Sequence, residues 1–319
     1  MDGYSTDGSW EYMQQFASDS RFELVRGLKQ GMYADWNECL KYVNTEYFYF
    51  LTSDDTCYPG LVSKTTNALD KHPDIDACHF QFVLIDAAGK TIKSPDEVID
   101  FYYSIYNEVN QVTHIRSGVC EFVLHFVYRT IYTTITSLVF RKSLISKLGG
   151  FTTQFGSIGD FDWTMRLTMH TDILYIPELL ATWRIYSEQA TQSSNYLEDL
   201  RKVLDVGRSN LNVFEKTAQA KSLKKRLEHH QLLTEFESHY AAGLYKKILS
   251  SKGTLATFQH LYIAASHFPI YPFKKLINRL TMNQLYDYKS RLQLAYELIE
   301  AYGLQWPPQP ELISDFHKE

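Results

Sequence analysis

Two adjacent carboxylates follow an aromatic, strand-like run in the first fifth of the chain. The run EYFYFLTSDD ends in Ser53, Asp54 and Asp55. Open α/β sheets bind ligands at the carboxyl ends of their strands, so both acids would lie at a ligand-binding edge. Hard cations such as Mg²⁺ or Mn²⁺ prefer oxygen ligands, and a bound diphosphate could supply those that two carboxylates leave open. The same residues also fit a solvated turn ahead of a helix that has Pro59 in its first turn.

Two other stretches carry candidate polar groups. The chain opens with MDGYSTDGSW, a run of turn and helix-capping residues that normally follows a strand. Further along, GDFDWTMRL places Asp160 and Asp162 in the first turn of a predicted helix, where the helix dipole favours acids. Both stretches therefore have a structural explanation beside a chemical one.

Composition excludes several classes of protein. The 319 residues suffice for two modest domains or one large one, and 45% hydrophobic with 22% charged residues is usual for a soluble globular protein. A formal net charge of -5 argues against binding nucleic acid through bulk charge. The four cysteines form no CxxC pair, which indicates reduced thiols in a cytoplasmic protein rather than a zinc site. No apolar run approaches the ~20 residues that span a bilayer.

The order of periodic patterns predicts the architecture. Strand-like and helical segments alternate through residue 90, including a short predicted strand at 21–27, which indicates an α/β domain with a largely parallel sheet. From about Asn195 the pattern becomes helical, so we expect one domain over 1–194 and a helical region over 195–319. An apolar helical stripe (Val119, Phe122, Val123, Phe126, Val127) either packs on the sheet or forms part of an acceptor cleft.

The chain resembles the family 2 glycosyltransferases, because it carries a set of short motifs in that family's order: DGYSTDGS, GMYADWN, FLTSDD with CYPG, GDFDWTMRL and WRIYSEQAT. The resemblance covers roughly residues 2–193. It implies a GT-A-like (Rossmann-like) α/β fold, with a mostly parallel sheet flanked by helices and a C-terminal helical region beyond it. Relative to the family pattern, the usual N-terminal strand and helix are expected to be lacking.

The resemblance also implies roles for individual residues. Asp160 would be the general base, and Asp55 with Asp54 would bind Mg²⁺ or Mn²⁺. The implied nucleotide-sugar-binding residues are Asp2, Ser5, Asp54, Arg184 and Gln189. Asp35 is expected only to decorate its helix.

Two positions depart from the family pattern. Gly159 stands where an acid commonly precedes the base, and Tyr186 stands where a histidine commonly lies near the diphosphate or metal. The second departure puts a third protein ligand for the metal in doubt.

The implied activity is a metal-dependent, inverting transfer of a hexosyl or N-acetylhexosaminyl group. The donor would be a nucleotide-diphosphate sugar, with a UDP-sugar favoured, and the acceptor a hydroxyl of a glycan or lipid-linked molecule in bacterial-type surface polysaccharide assembly. The alternative is a non-catalytic GT-A-like binding or scaffold protein. A nucleotidyltransferase is less favoured, because no glycine-rich, lysine-bearing phosphate loop is visible.

Two basic, partly apolar segments follow the predicted catalytic domain, at residues 221–230 and 268–280. The second, residues 268–280, could lie on an anionic membrane at the inner face of the cell membrane, or pack as an ordinary surface helix. We therefore expect a cytoplasmic protein with peripheral membrane contact as one alternative.

Overall fold

The computed structural model describes residues 1–93, 106–128, 131–186, 196–224, 231–237, 262, 265, 288–306 and 308. The strands are β1 (Tyr47–Tyr49), β2 (Thr56–Cys57), β3 (Ala77–Ile85), β4 (Thr91–Lys93), β5 (His114–Arg116), β6 (Leu138–Arg141) and β7 (Ile173–Arg184). The helices are α1 (Ser9–Gln14), α2 (Met32–Lys41), α3 (Leu61–Asp70), α4 (Gly118–Tyr128), α5 (Ser143–Leu148), α6 (Gly159–Leu167), α7 (Tyr196–Phe214) and α8 (Ala218–Ser222), and Tyr288–Tyr302 is a further helix. Short 3₁₀ helices span Asn107–Gln111, Ile135–Ser137 and Thr153–Ile158.

The strands of the described residues form one mixed sheet. Its order is β1-β6-β3-β7-β2, with β4 paired to β3 and β5 paired to β7. Strands β3 and β7 pair in parallel over the longest register, from Ala77 opposite Ile173 to Ile85 opposite Arg184. This long central pair places the end of β7 beside the turn that follows β3.

The expected α/β class with flanking helices is present, but the sheet differs from the prediction in being mixed rather than mostly parallel. Strand β6 pairs antiparallel with both β1 and β3, so β1, β3 and β7 run in one direction with β6 inserted the opposite way. Strands β2 and β5 pair antiparallel with β7, and β4 returns antiparallel along β3. Alternation of strands and helices along the chain does not show that a later strand enters between two earlier ones, which is why the pattern overestimated parallel pairing.

Apolar side chains cover both faces of the sheet. On one face, α3 contributes Leu61 and Leu69 to a cluster with Phe80 and Leu174. On the other face lies a larger cluster to which α4, α6, α7 and the helix Tyr288–Tyr302 contribute. The sheet is therefore the middle of three layers, and its long strands are buried on both sides.

The apolar stripe of α4 belongs to this larger cluster. Phe122, Val123 and Phe126 are fully buried, and Phe122 packs on Phe214 with ring centroids 4.2 Å apart. The stripe is therefore part of the core, and its ring contacts with neighbouring helices are to Phe214 and Phe236.

The predicted strand at 21–27 forms only a single bridge. Arg26 pairs in parallel with Asp2, through Asp2 N–H to the Val25 carbonyl (2.9 Å) and Gly27 N–H to the Asp2 carbonyl (2.8 Å). An alternating pattern needs a neighbouring strand to become a ladder, and within the described residues only Asp2 supplies one.

Helices dominate the described part of the chain after residue 195. Residues 231–237 are also helical, and Phe236 packs on Phe126 of α4. Among the residues described, no helix is long and apolar enough to cross a bilayer. Residues 268–280, where membrane contact was considered, lie outside the described residues, and so does the end of 221–230.

Candidate active site

A cleft of about 620 Å³ opens beyond the carboxyl end of β1. Asp54, Asp55 and Asp160 all contribute to its wall, although Asp160 is more than a hundred residues away in the chain. Aromatic side chains form much of the remaining surface: Trp36, Phe48, Tyr49, Phe50, Trp183 and Tyr186. The three acids named from the sequence as catalytic or metal-binding are thus brought together in one cavity.

Asp55 is buried and is held by donors from three segments. Its Oδ2 accepts hydrogen bonds from the hydroxyls of Thr52 and Thr136, both at 2.6 Å, and its Oδ1 accepts one from the backbone N–H of Arg184 at 2.8 Å. A carboxylate offers about four acceptor positions, so one position remains on Oδ1. The side chain therefore joins β7 and the 3₁₀ helix Ile135–Ser137 to the turn after β1.

Arg184 lies behind this turn. Its Nε donates to the carbonyl of Asp54 at 2.7 Å, and its Nη1 donates to the carbonyls of Asp86 and Ala87 at 2.8 and 3.1 Å. The guanidinium thus fastens the Ser53–Asp55 turn to the loop between β3 and β4, and Arg184 does not line the cleft.

A hard cation is compatible with this donor set only if other molecules supply most of its ligands. Asp54 lines the cleft and is partly exposed, and Asp55 has one acceptor position left on Oδ1. Within the described ranges no cluster of three or more His, Cys, Asp or Glu side chains could hold a metal ion. Mg²⁺ characteristically takes one or two carboxylates together with phosphate oxygens and water, which is what this pair could offer.

Asp160 lies at the second position of α6 and is partly exposed to the cleft. Its Oδ1 accepts a hydrogen bond from the backbone N–H of Phe161 at 2.8 Å, and the hydroxyl of Tyr33 also bonds to its carboxylate. Burial raises the pKa of Asp160 above its ordinary value, and the donors from Tyr33 and Phe161 lower it only part of the way back. Helix N–H groups alone would have kept the carboxyl more acidic, so burial is the stronger influence here.

Asp162 lies on the opposite side of the same helix and is buried. Its Oδ2 accepts from the Thr152 hydroxyl (2.8 Å) and from Arg166 Nε (3.0 Å), and its Oδ1 accepts from Asn210 Nδ2 (2.9 Å). Arg166 also donates to the carbonyls of Leu148 and Gly150 at 2.6 and 2.9 Å. Asp162 therefore ties α6 to α7 and points away from the cleft.

Asp2 is buried beside the cleft rather than on its wall, where its neighbours Met1 and Gly3 lie. Its carboxylate accepts from the backbone N–H groups of Tyr4 (3.0 Å) and Ser5 (3.2 Å) and forms an ion pair with Arg26. Burial alone would raise the pKa of Asp2, but the Ser5 and Tyr4 donors and Arg26 together hold it below the ordinary value. The carboxylate thus organises the loop, and Ser5 itself is exposed.

Two site residues have contacts that the sequence did not indicate. Asp35 accepts from the backbone N–H of Leu28 at 2.7 Å, and a Cβ built at Gly27 would lie 2.6 Å from both of its oxygens. The expectation that Asp35 only decorates its helix was therefore wrong, because it fixes the segment before α2. Asn37 exchanges two hydrogen bonds with the backbone of Phe151, at 2.6 and 2.8 Å.

In the last of the five motifs, WRIYSEQAT, Tyr186 lines the cleft, whereas Gln189 lies outside the described residues. Tyr186 thus presents a phenol at the position where the family pattern commonly has a histidine. A phenol is a hydrogen-bond donor and acceptor of high pKa and seldom serves Mg²⁺ or Mn²⁺ as a ligand.

The sequence of residues 1–132 matches the model of the family described as "Glycosyl transferase family 2". Over these residues the chain is similar to that family. The match includes the opening loop and the Ser53–Asp55 turn, and it ends before Asp160, which rests on the motif resemblance and the cleft geometry. The family recognised from the motifs is thereby confirmed.

Solved structures support the fold. The chain is similar to the crystal structure of S. aureus TarS 1-349, with a TM-score of 0.56 and 16% identity over 93% of this chain and 77% of that one. It is also similar to the crystal structure of S. aureus TarS, with a TM-score of 0.55 and 16% identity over 93% of this chain and 47% of that one. At this level of identity the likeness shows the GT-A-like fold with its helical C-terminal region, and nothing finer.

One curated protein is also similar to this chain over about half of its length. The "Uncharacterized protein MT1568" of Mycobacterium tuberculosis (strain CDC 1551 / Oshkosh) is 23% identical over 179 residues, which are 55% of this chain and 53% of that protein. The chain thus spans about half the length of this relative.

Proposed function

We propose that the protein is an inverting glycosyltransferase that moves a sugar from a nucleotide-diphosphate donor to an acceptor hydroxyl. The observation that carries the proposal is that Asp54, Asp55 and Asp160 meet in one cleft of a family 2 fold. We favour a UDP-sugar carrying a hexosyl or N-acetylhexosaminyl group. The acceptor is a glycan or lipid-linked molecule of bacterial-type surface polysaccharide, used on the cytoplasmic side of a membrane.

Asp160 is the base in this proposal. It takes the proton from the acceptor hydroxyl as the oxygen attacks the anomeric carbon from the side opposite the diphosphate. A base works best when its pKa approaches the working pH, and the burial that raises the pKa of Asp160 moves it in that direction. One carboxylate suffices, because a diphosphate, unlike a sugar alkoxide, departs without being protonated.

Asp54 and Asp55 would hold Mg²⁺ or Mn²⁺ and, through that cation, the diphosphate end of the donor. A cation bound there would supply positive charge against the charge that develops on the departing diphosphate. Asp54 faces the cleft, while the hydroxyls of Thr52 and Thr136 fix the orientation of Asp55. Arg184 stabilises the turn from behind, and the aromatic wall offers flat surfaces for the nucleoside or the sugar.

Nucleotide affinity that depends on a cation tests the proposal. We would titrate UDP, and separately GDP, into the wild type by calorimetry with and without Mn²⁺. Wild type should bind a nucleotide diphosphate at least tenfold more tightly with Mn²⁺, since cation and diphosphate complete each other's coordination. Asp54→Ala and Asp55→Ala should lose that gain.

The matched control is Glu178→Gln, which removes an exposed carboxylate that pairs with Lys64 outside the cleft. It should bind as the wild type does. The product of a transfer reaction, examined by NMR, should have the anomeric configuration opposite to that of the donor. Equal nucleotide binding with and without Mn²⁺ by wild type and both aspartate variants would contradict the proposal and favour a non-catalytic scaffold.

A further inference from the structure

The proposed base is in contact with a buried phenol that no part of the catalytic proposal uses. Tyr33 lies in the first turn of α2, is 5% exposed, and bonds through its hydroxyl to the carboxylate of Asp160. Burial, and then the nearby carboxylate, raise the pKa of Tyr33 far above its ordinary value. The phenol therefore stays neutral and acts as a hydrogen-bond donor to Asp160.

Neighbouring rings fix the position of this donor. The Tyr33 ring stacks on Phe151 with centroids 5.5 Å apart and planes 20° apart, and it meets Trp36 edge-on at 5.3 Å. Phe151 is in turn anchored to α2 by its two hydrogen bonds with Asn37. The hydroxyl is consequently held at one place relative to the start of α6.

The residue before the base leaves room for this ring. A Cβ built at Gly159 would lie 2.7 Å from Cδ2 of Tyr33, closer than real Cβ contacts occur. The φ of Gly159 is -64°, an ordinary helical value, so the backbone does not require glycine there. The requirement is steric: a larger residue at 159 would displace the ring that carries the donor.

We propose that Tyr33 is a positioning residue for Asp160, whose hydroxyl aims the carboxylate at the acceptor and favours its ionised form. The inference rests on the proposed role of Asp160 as base. Donation to the ionised form favours that form, so Tyr33 opposes the effect of burial. Together with the Phe161 N–H it restrains the carboxylate from two directions.

Other ionisable groups face the same region. Asp35, Asp54 and Asp55 are the carboxylates that line the cleft with Asp160. His125 of α4 packs on Phe161 with ring centroids 5.7 Å apart. These groups remain unchanged in the variants below, so differences between variants report on the phenol.

The test is Tyr33→Phe, which keeps the ring and its packing and removes only the hydroxyl. We expect the pKa of Asp160 to rise by about one unit, and the acid limb of the kcat–pH profile to move to higher pH by the same amount. Below that limb, kcat should fall about tenfold relative to wild type, and above it kcat should recover. Damaged packing would instead lower kcat at every pH.

Two further variants make the test specific. Tyr47→Phe removes a phenol that bonds to Asp70 outside the cleft and should leave the profile unchanged. Gly159→Ala should move the limb in the same direction as Tyr33→Phe, because it displaces the same ring. An unchanged limb in Tyr33→Phe, with Asp160→Asn inactive, would overturn the inference.

A second readout separates this inference from the proposed function. Carboxyl ¹³C NMR titration measures the pKa of Asp160 without turnover, with Asp160→Asn identifying its signal. If wild type transfers no sugar, the proposed function fails, yet a shift of the Asp160 signal in Tyr33→Phe still supports the contact. An identical titration in wild type and Tyr33→Phe shows that the phenol does not act on this carboxylate.

Discussion

At the scale of single residues, two acids of one short helix have different surroundings. Asp160 faces the cleft and carries a raised pKa, whereas Asp162 is held by Thr152, Arg166 and Asn210 on the other side of α6. Positions two apart on a helix lie about 200° apart around its axis, so the two carboxylates cannot share a partner. We therefore propose a catalytic role for Asp160 and a structural role for Asp162.

Asp160→Asn should lower turnover by about two to four orders of magnitude, the contribution of a positioned base. Asparagine keeps the size of the side chain and still accepts from the Phe161 N–H, so the Kd for the donor nucleotide should change little. Steady-state kinetics would measure the first effect, and calorimetric titration with UDP and Mn²⁺ the second.

The matched comparison is Asp162→Asn. Loss of the charge opposite Arg166 should reduce the free energy of unfolding by about 1–3 kcal/mol while leaving turnover per folded molecule near that of wild type. Chemical denaturation would give the first value. A wild-type rate in Asp160→Asn, with turnover lost in Asp162→Asn, would mean that the catalytic carboxylate is the other one.

At the scale of elements, the start of α4 packs closely against the backbone that follows α6. The backbone N–H of Gly118 donates to Asp172 at 2.8 Å. A Cβ built at Gly118 would lie 2.3 Å from the carbonyl oxygen of Thr171 and 2.5 Å from that of Thr168. Backbone atoms cannot move aside as a flexible side chain can, so only glycine fits at the start of α4.

Gly118→Ala should therefore cost about 1–3 kcal/mol of folding free energy, because the two segments must separate to admit a methyl group. Urea denaturation measures the cost. Ser146→Ala, on the exposed surface of α5, should stay within about 0.5 kcal/mol of wild type. Equal stability of wild type and Gly118→Ala would show that the contact relaxes freely.

The sequence predicted most of these elements and missed how some of them meet. The apolar stripe located α4, whereas the proline near its start indicated α3 and the acids of its first turn indicated α6. The sequence predicted a strand at 21–27 that forms only the bridge to Asp2, since alternation does not reveal whether a partner strand exists. It also could not reveal that β6 enters between β1 and β3.

The acidic residues of the candidate site could be named from the sequence, but the residues that hydrogen-bond to them could not. Motif order named Asp54, Asp55 and Asp160, which the fold brings into one cleft. The hydrogen bond from Tyr33 to Asp160 joins α2 to α6, and no local spacing signals a contact between residues so far apart in the chain. A glycine directly before a candidate base was the available signal, because it marks a close approach by another group.

At the scale of the whole molecule, buried ionisable groups in the core make stability depend on pH from both sides. Burial, followed by the field of Arg116, lowers the pKa of His114 to about 3, so its contribution to stability is present above about 6.5 and is lost as pH falls. Burial raises the pKa of Glu121 to about 8, so its contribution is complete below about 4.5 and is lost as pH rises through about 8. Between pH 4.5 and 6.5 a rise in pH increases stability through His114 and decreases it through Glu121. Above pH 6.5 the decrease due to Glu121 is no longer offset by His114.

Glu121→Gln should remove the alkaline slope. Between pH 6.5 and 8 Glu121 is ionised in the unfolded chain but keeps its proton in the folded protein. The free energy of unfolding of the wild type should therefore fall by at most about 1.4 kcal/mol per pH unit. Glutamine cannot ionise, yet its amide oxygen can still accept from the Tyr132 hydroxyl that bonds to Glu121. Urea denaturation at half-unit steps of pH should therefore show wild type losing stability over this range while the variant stays level. Glu178→Gln, which alters an exposed ion pair with Lys64, should follow the wild-type curve. Parallel curves for wild type and Glu121→Gln would mean that Glu121 is already ionised in the core near pH 6.5, against the effect expected of its burial.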